Sequence, residues 1–260
     1  MIQFESSAPV RTLRRPQPTL IPQLGNSSIC ALYRAARVGG DFYDFLVTDS
    51  GRLVFLLLDV AGKREEALDI SAAVQDRMRP LVAALLREHD VNEALVLPTL
   101  LIEVNRAILR AAHGVRCAPA FLGCYVEELG TLAYVNAGHT PALLKDHDGV
   151  TQLEANSIPL GLFSHATQDA RITAIQPGAA LLLVSRGLVE SKAGSEEYGI
   201  GRLAECVSRV SFQDAHDLCA QVLADVKTFT ESAWRPKEPE NDVTTLALVR
   251  TWAGAAAAGG

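Results

Sequence analysis

An α+β fold, with helices covering an antiparallel sheet system, is predicted by three features of the sequence. Residues 53–58 are apolar without a break and run into Asp59, the pattern of a strand buried on both faces. After Gly62 the apolar residues recur at three and four, which is the period of an amphipathic helix. From 117 to 152 the period shortens again in pieces divided by turn residues, so strands follow strands instead of alternating with helices.

The chain opens with Pro9, Pro16, Pro18 and Pro22 among scattered charges, which predicts an extended arm over residues 1–28, docked where Leu20, Ile21 and Leu24 meet the core. Strands begin at 28–33. The sequence GGDFYDF, residues 39–45, leaves a glycine turn, and Asp49-Ser50-Gly51 then joins it to the strand at 53–58. Ala67, Ile70, Val74, Met78, Leu81, Val82, Leu85 and Leu86 form the stripe of a first helix; Pro80 lies inside it and predicts a kink or break near Arg79. A second helix is expected over 91–112, closed by Gly114. The meander comprises FLGCYVEE, TLAYVNAG and PALLK, with further strands at 170–175 and 179–185. Helical stretches at 199–210 and 214–230 precede a last strand at 243–250. The polar segment 190–198 suits either a flap or a plain surface loop. The closing AGAAAAGG buries too little to offset its ordering entropy, so residues 251–260 are expected to be disordered.

At 260 residues the chain is long enough for one large domain or two small ones, and 48% hydrophobic with 21% charged content is ordinary for a globular protein. The formal charge of -6, with no basic run beyond residues 11–15, argues against a nucleic-acid partner. Five cysteines, an odd number with no CxxC spacing, read as reduced and mostly buried thiols rather than a zinc site. No charged and apolar leader opens the chain, and no stretch approaches the ~20 apolar residues of a membrane span; the expected location is the cytoplasm.

Chemistry points to the acids. Asp59 is carried to the rim of a sheet, and the hairpin could bring Asp41 and Asp44 near it. Clustered carboxylates at strand ends are a usual way to hold oxygen-seeking divalent cations, although each acid alone is an ordinary turn residue.

Taken together, RVGGDFYDF (37–45), LDVAGK (58–63), YVNAGHTPALL (134–144), IPLGLF (158–163), LLLVSRGLVES (181–191), EEYGIGRL (196–203) and NDVTTLALVR (241–250) resemble the bacterial SpoIIE/RsbU-type phosphatases, members of the PPM class of metal-dependent serine/threonine phosphatases. The resemblance runs over residues 18–250, leaving 1–17 as an N-terminal arm. It implies a four-layer α-β-β-α sandwich of two antiparallel sheets. It also implies a two-ion manganese or magnesium centre, where a bridging water attacks phosphoserine or phosphothreonine on small STAS-type anti-anti-sigma proteins in partner-switching pathways. By this resemblance Asp59 is the bridging acid, the Val60 carbonyl is a backbone ligand, and Asp41 holds a metal or its water. Asp242 is the remaining acid of the C-terminal pair.

Several positions depart from the pattern. Arg186 stands where the family has the aspartate of a Thr-Asp-Gly turn, and Asn241 where it has the first acid of Asp-Asp-x-Thr. Arg64 replaces the second glycine of Gly-Lys-Gly, and Pro177-Gly178-Ala179 replaces Pro-Gly-Asp. Two unit charges about 4 Å apart interact by about 4 kcal/mol at an effective dielectric of 20. An arginine beside a dication therefore opposes it by roughly twice that before relaxation. The expectation is that Arg186 takes the place of a metal, pairing with Asp59 or with both Asp59 and Asp41, in a regulator with little or no hydrolysis and without two tightly held metal ions. The alternatives are a surface arginine at a turn, and a working phosphatase in which Asp41, Asp59 and Asp242 keep at least one manganese or magnesium ion. The expected partner is a STAS-type protein, phosphorylated or not, or an anti-sigma-type kinase. Arg34 and Arg37 are weaker candidates for meeting a phosphate, and solvated arginines explain them equally well. His139 is expected to pack a turn of the meander rather than to exchange protons.

Overall fold

The computed structural model describes residues 14–35, 40–165, 169–233 and 241–252. Two five-stranded antiparallel sheets lie face to face. The first has the order β2 (Asp41–Val47), β3 (Arg52–Asp59), β4 (Ala120–Val126), β5 (Thr131–Ala137) and β8 (Arg171–Ala174). The second has the order β1 (Ser27–Arg34), β12 (Val243–Arg250), β9 (Ala180–Val184), β6 (Ala142–Asp146) and β7 (Gly149–Leu153). Helices α1 (Arg64–Leu85) and α2 (Glu93–Ala111) cover the first sheet; α4 (Gly199–Arg209) and α5 (Ala215–Glu231) cover the second. This is the four-layer α-β-β-α sandwich expected from the sequence. A single turn, α3 (Arg186–Val189), and a small hairpin, β10 (Lys192–Ala193) with β11 (Glu196–Glu197), lie between β9 and α4.

Why β3 is apolar throughout follows from the layers. Leu53, Phe55 and Leu57 face the other sheet, among Phe45, Phe121, Leu181 and Leu246. Val54, Leu56 and Leu58 face the helices, among Val74, Met78, Leu101 and Val104. A third cluster joins Leu182, Val184, Val243 and Ala247 to Leu203, Leu218 and Val222 beneath α4 and α5. Successive side chains alternate between these environments, so residue parity along each strand decides which layer a side chain enters.

Two expectations need correction: a break at Pro80 and the docking of the arm through Leu20 and Ile21. Helix α1 runs unbroken through Pro80. The carbonyl that Pro80 frees belongs to Asp76, and both residues are exposed, so water can satisfy it while Val74, Met78 and Val82 stay buried. The N-terminal arm does not dock through Leu20 and Ile21, which are 82% and 52% exposed. Its polar groups do more. Gln17 donates its N–H to Gln75 Oε1 at 2.7 Å and accepts from Gln75 Nε2 at 3.1 Å, while Thr19 Oγ1 donates to Asp44 Oδ1 at 2.7 Å. An extended segment must satisfy its backbone groups, and the side chain of Gln75 does so as a neighbouring strand would. Of the three apolar residues only Leu24 packs against the core between the sheets. Segment 190–198, expected as a flap or a surface loop, carries the β10–β11 hairpin and ends on the buried Tyr198, whose hydroxyl donates to Asp225 and whose ring packs edge-on against Phe229. No helix among the described residues is long and apolar enough to cross a membrane.

Candidate functional site

One end of the sandwich collects the acids, and strand parity explains which ones. In β3 the odd residues face the opposite sheet, so Asp59, the last of them, emerges at the mouth between the sheets. Asp41 is its register partner across β2 and β3 and continues the inward row of Tyr43 and Phe45. In the second sheet, Leu246 and Leu248 place Thr244 and Asp242 on the inner face, Leu181 and Leu183 place Ser185 there, and Ile29 and Ala31 place Tyr33 there. Side chains distant in sequence therefore meet across the gap.

Asp41 Oδ2 accepts a 2.6 Å hydrogen bond from Thr244 Oγ1, which ties the two sheets together. Tyr33 donates its hydroxyl to Asp242 Oδ2 at 2.7 Å, and Asp242 is almost wholly buried. Ser185 Oγ accepts from the Thr244 N–H at 3.0 Å and fixes the exit of β9. Two glycines permit close backbone approach. A Cβ on Gly40 would lie 1.9 Å from the Val60 carbonyl oxygen, and one on Gly187 would lie 2.1 Å from the Asp242 carbonyl oxygen.

Arginines approach these acids. Arg186, the first residue of α3, places Nε 3.5 Å from Asp59 Oδ2 and 3.8 Å from Glu190 Oε1, one helical turn ahead; its side chain is 56% exposed. Asn241 Nδ2 donates to Glu190 Oε2 at 3.3 Å. Arg64 Nη1 lies 3.8 Å from Asp242 Oδ1, and its Nη2 donates to the Tyr33 hydroxyl at 3.4 Å; its side chain is 43% exposed. Tyr33, Gly40, Asp41, Arg64 and Asp242 line a small open cleft beside the start of α1.

The electrostatics are unbalanced. Burial pushes the Asp41 carboxyl up to about 7, helped by the neighbouring charges of Asp59 and Asp242 and opposed by hydrogen bonds from Thr244 and Ser185. Asp59 is also raised, first by burial and then by Glu190 and Asp242, with Arg186 pulling the other way. Burial and the carboxylate of Asp242 lift Tyr33 to about 12.

These residues do not fit a pair of ions. By the resemblance above, Arg186 and Asn241 stand at two positions where carboxylates are expected, and the guanidinium of Arg186 lies beside Asp59, where a cation would have to approach. The oxygen donors gathered at this end are the carboxylates of Asp41, Asp59, Asp242 and Glu190 and, beside Gly40, the Val60 carbonyl.

The other candidates separate from this group. Asp44 has even parity and points away, into the helix layer, where it is fully buried. Arg79 grips it there in bidentate fashion at 2.9 and 2.8 Å. It is a structural ion pair, not a member of the acid cluster. Arg186 has no ion pair with Asp41 among the described residues; Asp41 is taken by Thr244 instead. Arg34 is exposed at the end of β1, and Arg37 lies outside the described residues. His139 is buried beside Thr140 with its ring held neutral, lowered to about 4 by burial, which accords with a packing role. Tyr33, Ser185, Glu190 and Thr244 went unnoticed in the sequence. Extending the apolar inner rows by alternate residues, forward to Tyr33 and Ser185 and back to Thr244, reaches all but Glu190.

The family model of Stage II sporulation protein E (SpoIIE) matches residues 49–251. Protein IcfG of Synechocystis is 24% identical over 212 residues, which are 74% of this chain and 33% of that protein. Phosphoserine phosphatase RsbP of Bacillus subtilis is 24% identical over 164 residues, 61% of this chain and 38% of that one. The chain thus spans little more than a third of the length of these curated relatives. The RsbU and RsbW domains of Rv1364c from Mycobacterium tuberculosis superimpose with a TM-score of 0.69 at 23% identity, covering 90% of this chain and 63% of that one. At that identity the superposition speaks for the fold alone. The sequence match across most of the chain and the two-sheet sandwich agree, and on them the chain belongs to the SpoIIE family, the SpoIIE/RsbU type of PPM phosphatase.

Proposed function

We propose that this protein is a phosphatase-derived regulator of partner-switching signalling, which binds its partner with little or no hydrolysis of its own. The observation that carries the reading is Arg186 Nε at 3.5 Å from Asp59 Oδ2, an arginine on the acid that would otherwise bridge two ions. Asn241, hydrogen-bonded to Glu190, adds to it by removing a second carboxylate. A guanidinium keeps buried acids from facing one another unpaired, so the fold persists without catalytic ions. The partner class that the family resemblance implies is a STAS-type protein, phosphorylated or not, or an anti-sigma-type kinase.

One observation favours a second reading. Asp41 and Asp59 are both held above the usual carboxylate range, and a bound cation would relieve that. In this reading Asp41, Asp59, Asp242 and the Val60 carbonyl hold at least one manganese or magnesium ion, and the protein is an active phosphoserine/phosphothreonine phosphatase. The ion would supply a water of lowered pKa.

Manganese-dependent hydrolysis of para-nitrophenyl phosphate decides between them. The regulator reading expects no turnover from the wild type above an Asp59→Ala control, and activity in Arg186→Asp with Asn241→Asp. Wild-type turnover that Asp59→Ala abolishes would overturn it and establish the second reading.

A further inference from the structure

Arg64 stands at a position that the family fills with the second glycine of a Gly-Lys-Gly turn, and it reaches the same acid cluster from the opposite side to Arg186. Arg64 opens α1, directly after β3 of the first sheet, and reaches Asp242 at the head of β12 in the second. Arg186 follows β9 of the second sheet and reaches Asp59 at the end of β3 in the first. Each arginine thus carries its charge across the mouth to an acid of the facing sheet. The Tyr33 hydroxyl joins the first pair, donating to Asp242 and accepting from Arg64. A glycine at 64 would leave Asp242 without this cation.

We propose that Arg64 is a second surrogate cation, so that two arginines, not one, stand in for the charge of the two ions. This rests on the regulator reading above and extends it. Both arginines are about half exposed and sit at 3.5–3.8 Å from their acids, so neither pair is tight. Their effect is to place positive charge where a dication would have to settle, and the repulsion is long-ranged enough to act from the rim. Restoring the two acids alone therefore leaves Mn2+ held more weakly than it would be without Arg64, because Arg64 still stands beside Asp242.

The test is titration with Mn2+ followed by the electron paramagnetic resonance signal of the free ion. It uses the wild type, R186D/N241D, R64G/R186D/N241D and R64Q/R186D/N241D, with folding checked by circular dichroism. Removing Arg64 is expected to tighten Mn2+ binding at least about tenfold over R186D/N241D. Equal affinity with and without Arg64, whether tight or undetectable, would overturn the inference. Tight wild-type binding with turnover sensitive to Asp59→Ala would instead sink the regulator reading, and the two failures are thereby separable. A second measurement needs no metal. In urea unfolding, Arg64→Gln should lower the folded-to-unfolded ratio about two- to fivefold in the wild type and have little effect in Asp242→Asn. The same loss in both backgrounds would show that Arg64 does not act through Asp242.

Discussion

Asp41→Asn should stabilise the metal-free protein at neutral pH, although it removes a charge from the heart of the site. Asp41 holds its proton up to about 7 in the folded protein, mainly because its carboxylate is buried, whereas an unfolded aspartate loses its proton near 3.8. Between those values the folded state binds more protons than the unfolded state, so stability falls as pH rises across the window. Below 3.8 Asp41 imposes no penalty; above about 7 the penalty is complete. At 1.36 kcal/mol per pH unit the ceiling is about 4 kcal/mol. Solvent reaches part of the residue, and relaxation trims the ceiling to about 1–2 kcal/mol. Asparagine keeps an oxygen to accept from Thr244 Oγ1 and carries no charge to desolvate. Urea unfolding of wild type and variant from pH 5 to 8 in EDTA measures the effect. The variant should be more stable at pH 7.5, and the gap should shrink toward pH 5. The difference matters more than the raw slope, because the buried His139, lowered to about 4, works in the opposite sense: its contribution is lost as pH falls through 6.5 toward 4. A variant less stable than wild type at pH 7.5, or a gap independent of pH, would refute the reasoning.

Two further substitutions probe the frame around the site. Arg79→Ala strands the fully buried Asp44 carboxylate, leaving Thr19 as its side-chain partner among the described residues, and should cost about 3 kcal/mol in chemical denaturation. A loss below about 0.5 kcal/mol would show that solvent, reached through the 31% exposed arginine, compensates fully. Gly123→Ala would set a Cβ 2.3 Å from the Phe55 ring, which stacks on Phe121, so the variant should lose about 1–3 kcal/mol and several degrees of thermal midpoint. An unchanged midpoint would mean that the aromatic stack can shift to admit it.

Much of the frame was readable because it depends on local pattern. The unbroken apolar run of β3 announced a strand between two layers, and the changes of period separated the helix pairs from the meander. Arg186, Asn241 and Arg64 stood out against the motifs that the chain otherwise keeps. Less legible were the arm, where Leu20 and Ile21 suggested burial but Gln17 and Thr19 make the contacts, and Pro80, which suggested a break that its exposed setting spares. Asp44 was misplaced because the hairpin brings it near in sequence while parity turns it to the helix layer.

By itself, then, the sequence determined the strands and helices, and the two places, Arg186 and Asn241, where the chain departs from the motifs it resembles, since each is written within a few residues of chain. Only the tertiary structure decided which side chains meet at the site. That Asp41 answers to Thr244 and not to Arg186, and that Arg64 crosses to Asp242, depends on how two sheets face each other at one end of the sandwich. Partners some 180 to 200 residues apart are selected by register and parity in both sheets at once, and no local pattern carries that pairing.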